Sequence, residues 1–169
     1  MSRWFQLASS PYILAGVRVL IVGCGRVGAR LALELAAADH DVTVVDSSRQ
    51  AFDRLGQHFP GRIVLGNGTD QHVLEEAKAA EADWFISVTN GDNRNIMSAQ
   101  VAKEIFKIPK VMTRIYDPIR ERVYREMGLY TYCPTVVGAA IARTFFEDGP
   151  DAADRARAAV TIASGGANG

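Results

Sequence analysis

The stretch VLIVGCGRVGARLALEL, Val19 to Leu35, joins an apolar β-branched run to a helix-like run through three glycines spaced G-x-G-x-x-G. Each glycine has its own task in such a turn. Gly23 permits the tight bend off the strand, Gly25 lets main-chain N–H groups approach a pyrophosphate, and Gly28 allows close contact between helix and strand. The N-terminus of the helix that follows adds a partial positive charge aimed at phosphate. Cys24, Arg26 and Val27 fill the variable positions of the same loop. The pattern gains specificity from Asp46, 21 residues beyond Gly25 at the end of the next β-branched run, with Ser47 beside it. A carboxylate there accepts hydrogen bonds from both hydroxyls of an adenosine ribose and repels a 2′-phosphate. That favours NAD(H), ATP or ADP over NADP(H), with Arg49 the nearby basic group that counts the other way.

Working outward, short β-branched runs at 17–22, 41–45, 62–65, 83–88, 110–115 and 130–133 alternate with longer helix-like segments. Six strands with five intervening helices predict a Rossmann-like, doubly wound parallel sheet of order 3-2-1-4-5-6 in one α/β domain, covered by helices on both faces. In the first helix Val27, Leu31 and Leu35 form a stripe expected to face the sheet. Ile96, Ala99, Lys103 and Phe106 mark a later helix, and Val136, Ala140 and Thr144 mark another after Pro134. Residues 1–16 read as an amphipathic lead-in, 17–147 as the nucleotide-binding domain, and 148–169 as a flexible tail or truncated linker.

Composition narrows the function. The 169 residues are 48% apolar, ample for one packed domain, and 19 basic residues balance 19 acidic ones. No global field draws such a chain to nucleic acid. The apolar lead-in is broken by Gln6, Ser9, Ser10 and Pro11, well short of the roughly 20 residues a membrane span needs. It also lacks the basic start of a signal peptide beyond Arg3. Cys24 and Cys133 have no zinc-type spacing and read as reduced cytoplasmic thiols, Cys24 as an idle thiol at a tolerant loop position. His40, His58 and His72 lack metal-ligand spacing and read as solvated surface residues.

Two further loops fall at the carboxyl edge of the predicted sheet: GNGTD, Gly66 to Asp70, and SVTNGDNRN, Ser87 to Asn95. Asn67, Gly68, Thr69, Thr89 and Asn90 suit adenine and ribose contacts. For Asn67 and Thr69 a plain turn role is equally well supported, and Asp70 and Asp92 read as helix N-caps. Arg26, directly after the second glycine, can meet phosphates bidentately; as a mere solvated residue it would sit unfavourably at a helix N-terminus. Arg114 reads as an interface or salt-bridge residue.

These residues together, from Gly23 to Gly28, Asp46, Gly66 to Asp70, Thr89 to Asn95, Arg114 and EMGLYTYCPTVVGAAIA, resemble the TrkA N-terminal, or RCK, domain of bacterial potassium-transport regulators. The likeness covers roughly residues 17–147 and implies a cytoplasmic module that binds NAD(H) or adenine nucleotides. It further implies dimers assembled into a gating ring on a membrane potassium pore, with the helix Val136 to Glu147 crossing to a partner subunit. The chain departs from relatives at Thr135, where many carry an acid that helps hold a divalent ion beside ATP, so no metal site is expected. Relatives also commonly continue into a second ligand-binding domain; this chain reads as a fragment or a stand-alone nucleotide-binding subunit.

Catalysis is the competing reading, as the coenzyme domain of an NAD-dependent dehydrogenase separated from its catalytic half. Hydride transfer needs an acid or base beside the nicotinamide, usually from a second domain. Ser87, Thr89 and Asn93 have no proton-transfer partner in the sequence, so the bound ligand is expected to act as an effector and the chain to be no enzyme. A purely structural module without ligand is the remaining alternative.

Overall fold

In the computed structural model, which describes residues 16–152, 154 and 155, the six β-branched runs become six strands. They are β1 (Arg18–Val22), β2 (Asp41–Asp46), β3 (Arg62–Leu65), β4 (Trp84–Ser87), β5 (Lys110–Arg114) and β6 (Tyr130–Tyr132). They pair in parallel, in the order β3-β2-β1-β4-β5-β6. This is the expected Rossmann-like sheet. Residues 1–15 of the lead-in, residue 153, and the tail beyond 155 lie outside the described residues.

The strands are continuous apolar runs because both sheet faces are covered. Val19 and Ile21 pack on one side with Val42, Val44, Ile86, Ala29 and Ala32. Leu20 and Val22 pack on the other with Val45, Val64, Leu74, Phe85 and Val111. The pairing register aligns the strand ends. Val64, Val45, Val22, Ser87, Thr113 and Thr131 lie in one transverse row, so Asp46, Gly23, Val88 and Arg114 emerge together at the carboxyl edge.

The helices are α1 (Arg26–Ala37), α2 (Gln71–Glu76), α3 (Asp92–Gln100), α4 (Pro118–Glu126) and α5 (Pro134–Asp148). Three expectations need correction. First, the connection from β2 to β3 is a short 3-10 helix, Arg49–Leu55, rather than an α-helix. Second, α1 does not turn the Val27 stripe onto the sheet. Val27 is 43% exposed, and the buried ridge is Gly28, Ala29 and Ala32, with Leu31 and Leu35 flanking it half-buried. The close approach at Gly28 brings the small residues inward and leaves large ones no room there. Third, the α3 periodicity is shifted by a wide π turn, Val101–Ile105. Ala102 thereby joins Ile96 and Ala99 in the core, while Lys103 donates from Nζ to the Gly128 carbonyl at 2.9 Å.

Helix α5 forms where Val136, Ala140 and Thr144 mark it, yet none of its residues is buried. Among the described residues no helix is long and apolar enough to cross a membrane.

Candidate functional site

Strand order reverses at β1, where β2 lies on one side and β4 on the other, and such a switch point opens a crevice at the carboxyl edge. A cleft of about 810 Å³ lies there. Gly23, Cys24, Gly25, Arg26 and Val27 line it from the first turn, Asp46 and Ser47 from the end of β2. Asn67, Gly68 and Thr69 come from the loop after β3, and Thr89 and Asn90 from the loop after β4. Gly28 alone among the thirteen candidates stays out of the lining; its task is packing.

The three glycines divide the work. Gly23 has φ +106°, donates its N–H to the Val45 carbonyl at 2.7 Å, and would place a Cβ 2.9 Å from the Thr89 nitrogen. A Cβ on Gly28 would sit 1.8 Å from the Gly23 carbonyl oxygen. Gly25 differs from both. It caps α1 with φ −74°, and a Cβ there would meet no protein atom within 4 Å. No side chain caps this helix start and no acid occupies its first turn. The leading N–H groups of α1 are therefore free to hold an anion.

Asp46 binds the loop as well as facing the cleft. One carboxylate oxygen accepts from the Cys24 N–H at 2.7 Å and the other from the Ser48 N–H at 2.8 Å. Each oxygen keeps a second lone pair for a ligand hydroxyl. Arg49, the basic residue that weighed toward NADP(H), faces a different hollow behind the 3-10 helix with Phe52, Ile63 and Leu65. Ala51 and Arg54 are the residues of that helix that line the cleft.

Cys24 is not a tolerant position. Its side chain is fully buried in the core cluster under α1. Burial first, then the Asp46 charge, push its thiol from an ordinary 9.0 up to about 11, against a smaller opposing effect of Arg54. At neutral pH it is a protonated thiol that fills space, with no thiolate to react. Gly68 is likewise a packing residue as well as a lining one, since a Cβ there would meet a Val22 methyl at 2.2 Å. The Asn67 side chain accepts from the Thr69 N–H at 3.1 Å, which supports the turn reading for both. Asp70 caps α2 through the His72 N–H, as expected. Asp92 does not cap its own helix, a role that falls to Gly91. Its two oxygens reach across to the Tyr116 and Asp117 N–H groups at 2.9 and 3.1 Å. His58 and His72 are exposed, whereas His40 is half-buried with Nδ1 unpartnered.

Beyond β4 a buried network fixes the cleft wall. The fully buried Asn95 accepts from the Thr89 N–H and hydroxyl at 2.8 and 2.7 Å, and donates to the Thr89 and Arg114 carbonyls at 3.0 and 2.9 Å. Ser87 lies 2.9 Å from the Asn95 carbonyl oxygen and 2.7 Å from the Thr113 hydroxyl. Arg114 is not paired at a surface. It lines the cleft beside Arg94 and Tyr116, buried to 6% exposure. Sequence reasoning missed Arg54, Arg94, Arg114 and Tyr116 as lining residues. The position of Arg114 in the transverse row after Thr113 was the available signal. Four arginines, Arg26, Arg54, Arg94 and Arg114, thus line the cleft against the one carboxylate of Asp46. A chain of zero formal net charge concentrates positive charge in its one crevice at the strand-order reversal.

Among the described residues no three His, Cys, Asp or Glu side chains gather as a metal site. The Thr135 hydroxyl donates to the Tyr116 carbonyl at 2.8 Å.

Comparison with known proteins agrees with this architecture. The TrkA-N domain model matches residues 19–134. The Trk system potassium uptake protein TrkA of Streptomyces coelicolor is 47% identical over 115 residues, which are 68% of this chain and 52% of that protein. The TrkA homolog of Methanothermobacter thermautotrophicus is 34% identical over 111 residues, 66% of this chain and 51% of that one. The chain spans about half the length of these curated relatives. Among solved structures, the TrkA-N domain of the Escherichia coli inner membrane protein ybaL superposes with a TM-score of 0.64 at 26% identity, covering 79% of this chain and 96% of that one. The Shewanella denitrificans Kef CTD in its AMP-bound form gives 0.67 at 20% identity over 86% and 92% of the two chains, a likeness of fold. On the family match and the Rossmann-like sheet together, this chain belongs to the TrkA-N domain family.

Proposed function

We propose that this chain is a ligand-sensing regulatory module of a potassium-transport system, working in the cytoplasm at the inner face of the membrane through a partner. Its cleft binds NAD(H) or an adenine nucleotide, and occupancy biases the arrangement of subunits that gate a potassium pore. The observation that carries the ligand reading is the glycine cradle: unpartnered N–H groups at the start of α1, open space over Gly25, and Asp46 beside them. The curated relatives named as potassium uptake proteins support the system.

Turnover finds little support at this cleft. Ser87 and Thr113 are buried against each other, Thr89 is tied to Asn95, and Cys24 stays protonated. An effector instead works by differential affinity for two arrangements, typically worth about 1 to 3 kcal/mol. Calorimetry with NADH, NAD, ADP and ATP is the direct test: at least one is expected to bind, and Asp46→Arg to abolish it. Arg26→Ala is expected to weaken ATP about 10-fold more than adenosine, the loss of one charge-assisted contact. No heat with any of the four ligands would remove the sensing reading, and steady NADH oxidation with a small carbonyl would replace it with an enzyme.

The assembly we propose rests on two faces that carry exposed apolar residues among the described residues. Val136, Val137, Phe145 and Phe146 of α5 are exposed, Phe146 to 89%. Ile119, Val123 and Met127 form an exposed i, i+4, i+8 stripe along and just beyond α4, Ile119 at 75%. Contiguous apolar surface of this kind marks an interface. The occupant we propose is a second copy of the chain, with α5 crossing onto the partner's α4 face. Light scattering should report a dimer or larger ring that Phe145→Ser with Phe146→Ser reduces to monomer. An unchanged mass in that double variant would take α5 out of the interface.

A further inference from the structure

Strand β3 forms one edge of the sheet, paired with β2 on one side and with no strand on the other. The Gly66 N–H donates to the Asp46 carbonyl at 2.9 Å, so by alternation Val64 and Gly66 turn their main-chain groups toward β2 and Ile63 and Leu65 turn theirs outward. Among the described residues no main-chain group pairs with those outward donors and acceptors. Sheets commonly guard such an edge with lysine, proline or a covering helix. Strand β3 has none of these. Its sequence is RIVL, Arg62 is drawn aside to the Glu76 carbonyl at 3.2 Å, and the 3-10 helix Arg49–Leu55 leaves Ile63 53% and Leu65 46% exposed.

The bare edge continues into a hollow. Val64 packs on the α2 side of the sheet, so Ile63 and Leu65 share the opposite face with the 3-10 helix. There a hollow of about 620 Å³ opens, walled by Phe52, Ile63 and Leu65 and bordered by Arg49 and Asp53. These two charges stand four residues apart on one helix, yet among the described residues neither makes an ion pair. The helix runs back from the end of β2 toward the start of β3, which puts Arg49 toward the carboxyl edge and Asp53 toward the amino edge. A surface with an apolar strand between a cation at one end and an anion at the other is complementary to itself reversed.

We propose that the β3 edge docks a second copy of this chain, with β3 antiparallel to β3 about a two-fold axis at Val64. Ile63 of each copy then lies opposite Leu65 of the other, and each such pair exchanges two N–H···O bonds through its outward groups. An axis perpendicular to the sheet keeps like faces together, so Ile63 and Leu65 pack across the seam and the two hollows close on each other. The same rotation sets Arg49 against Asp53 of the second copy at both ends. Exposed ion pairs of this kind add little affinity, but they fix orientation and reject like charges. The surface is separate from the α5 contact and from the nucleotide cleft, and it depends on neither reading.

Sedimentation equilibrium on the full chain carrying Phe145→Ser and Phe146→Ser isolates this seam from the α5 contact. Self-association with a Kd of about 0.5 mM is expected, the strength of a short transient interface and too weak to show in dilute light scattering. Arg49→Asp and Asp53→Arg, added singly to that parent, should each weaken it about 10-fold, because like charges then meet across the axis. Mixed in equal amounts, these two variants should associate within about 2-fold of the parent, since acid again faces arginine at both ends. Leu65→Lys, a change at a half-exposed position that leaves the core alone, should abolish association. A parent that stays monomeric to about 1 mM, single charge variants that associate like the parent, or a mixture as weak as its components would each overturn the seam. If the double serine variant keeps the wild-type mass in dilute solution, the α5 contact falls; loss of mass in each charge variant and its recovery in their mixture would still uphold the β3 seam, and no such loss would overturn it.

Discussion

Gly25→Ala is expected to melt within a few degrees of wild type and to lose about 100-fold or more in affinity for adenine nucleotides. The backbone at Gly25 is at φ −74°, open to any residue, and the added methyl would meet no protein atom within 4 Å. Alanine is a poorer N-cap than glycine by roughly 0.5 kcal/mol or more. Its lower freedom in the unfolded chain offsets a similar amount. What the methyl does occupy is the space over the first N–H groups of α1. A phosphate kept from two such donors forfeits charge-assisted bonds of roughly 1.5 to 3 kcal/mol each. Gly28→Ala should do the reverse of this selective damage. Its Cβ would lie 1.8 Å from the Gly23 carbonyl, so α1 must ride outward from the buried Ala29 and Ala32 contacts. Overpacking of that severity costs about 3 kcal/mol or more, roughly 6 to 12 °C in a chain of this size. Thermal melts and calorimetry on the two variants separate the roles. Undiminished binding by Gly25→Ala would mean that no phosphate sits in the cradle.

That contrast between two glycines of one motif shows where sequence is readable. The spacing of Gly23, Gly25 and Gly28 after a β-branched run, with Asp46 at the next strand end, specifies a strand, a turn, a helix and a nearby acid. All of these are local or set by one parallel pairing, and all appear where expected. The strands were legible because burial on both faces leaves only apolar runs. The side of α1 that meets the sheet was not. Helical periodicity identifies a stripe of large residues, but close approach at a glycine selects the small ones, which is why Ala29 and Ala32 are buried and Val27 is not.

The cleft wall beyond β4 was harder still. Arg114, Arg94 and Tyr116 converge through pairing of β4 with β5 and through Asn95, which spans 19 residues to the Arg114 carbonyl. No spacing rule encodes such a bond. Asp92 misled for a related reason: an acid at a helix start reads as a cap, and only the turn after β5 shows that its oxygens serve Tyr116 and Asp117 instead. The overall charge balance also concealed the site, because four arginines gathered on one crevice leave the total unchanged.

Asp46→Asn is the second large effect, and it should damage stability and recognition together. The carboxylate accepts from Cys24 and Ser48 N–H groups through separate oxygens, at 2.7 and 2.8 Å. An amide offers one oxygen and one NH2, so one of the two backbone donors must face another donor. Loss of a charge-assisted bond with an unsatisfied buried donor costs about 2 to 3 kcal/mol, or roughly 4 to 12 °C in midpoint. The Cys24 N–H is the more damaging one to strand, because that residue is wholly buried and leads directly into Gly25. On the ligand side, the remaining lone pairs of Asp46 are those available to ribose hydroxyls. Wild type should therefore prefer ATP over 2′-deoxy-ATP about 10-fold, and Asp46→Asn should reduce that preference to about 2-fold. The same charge disfavours a 2′-phosphate, so the variant should narrow the gap between NADH and NADPH as well. Stability and sugar discrimination are read independently, by melting and by calorimetry. A variant that melts lower yet still discriminates the 2′-hydroxyl would confine Asp46 to bracing the glycine turn and pass the reading of ribose to another residue of the cleft.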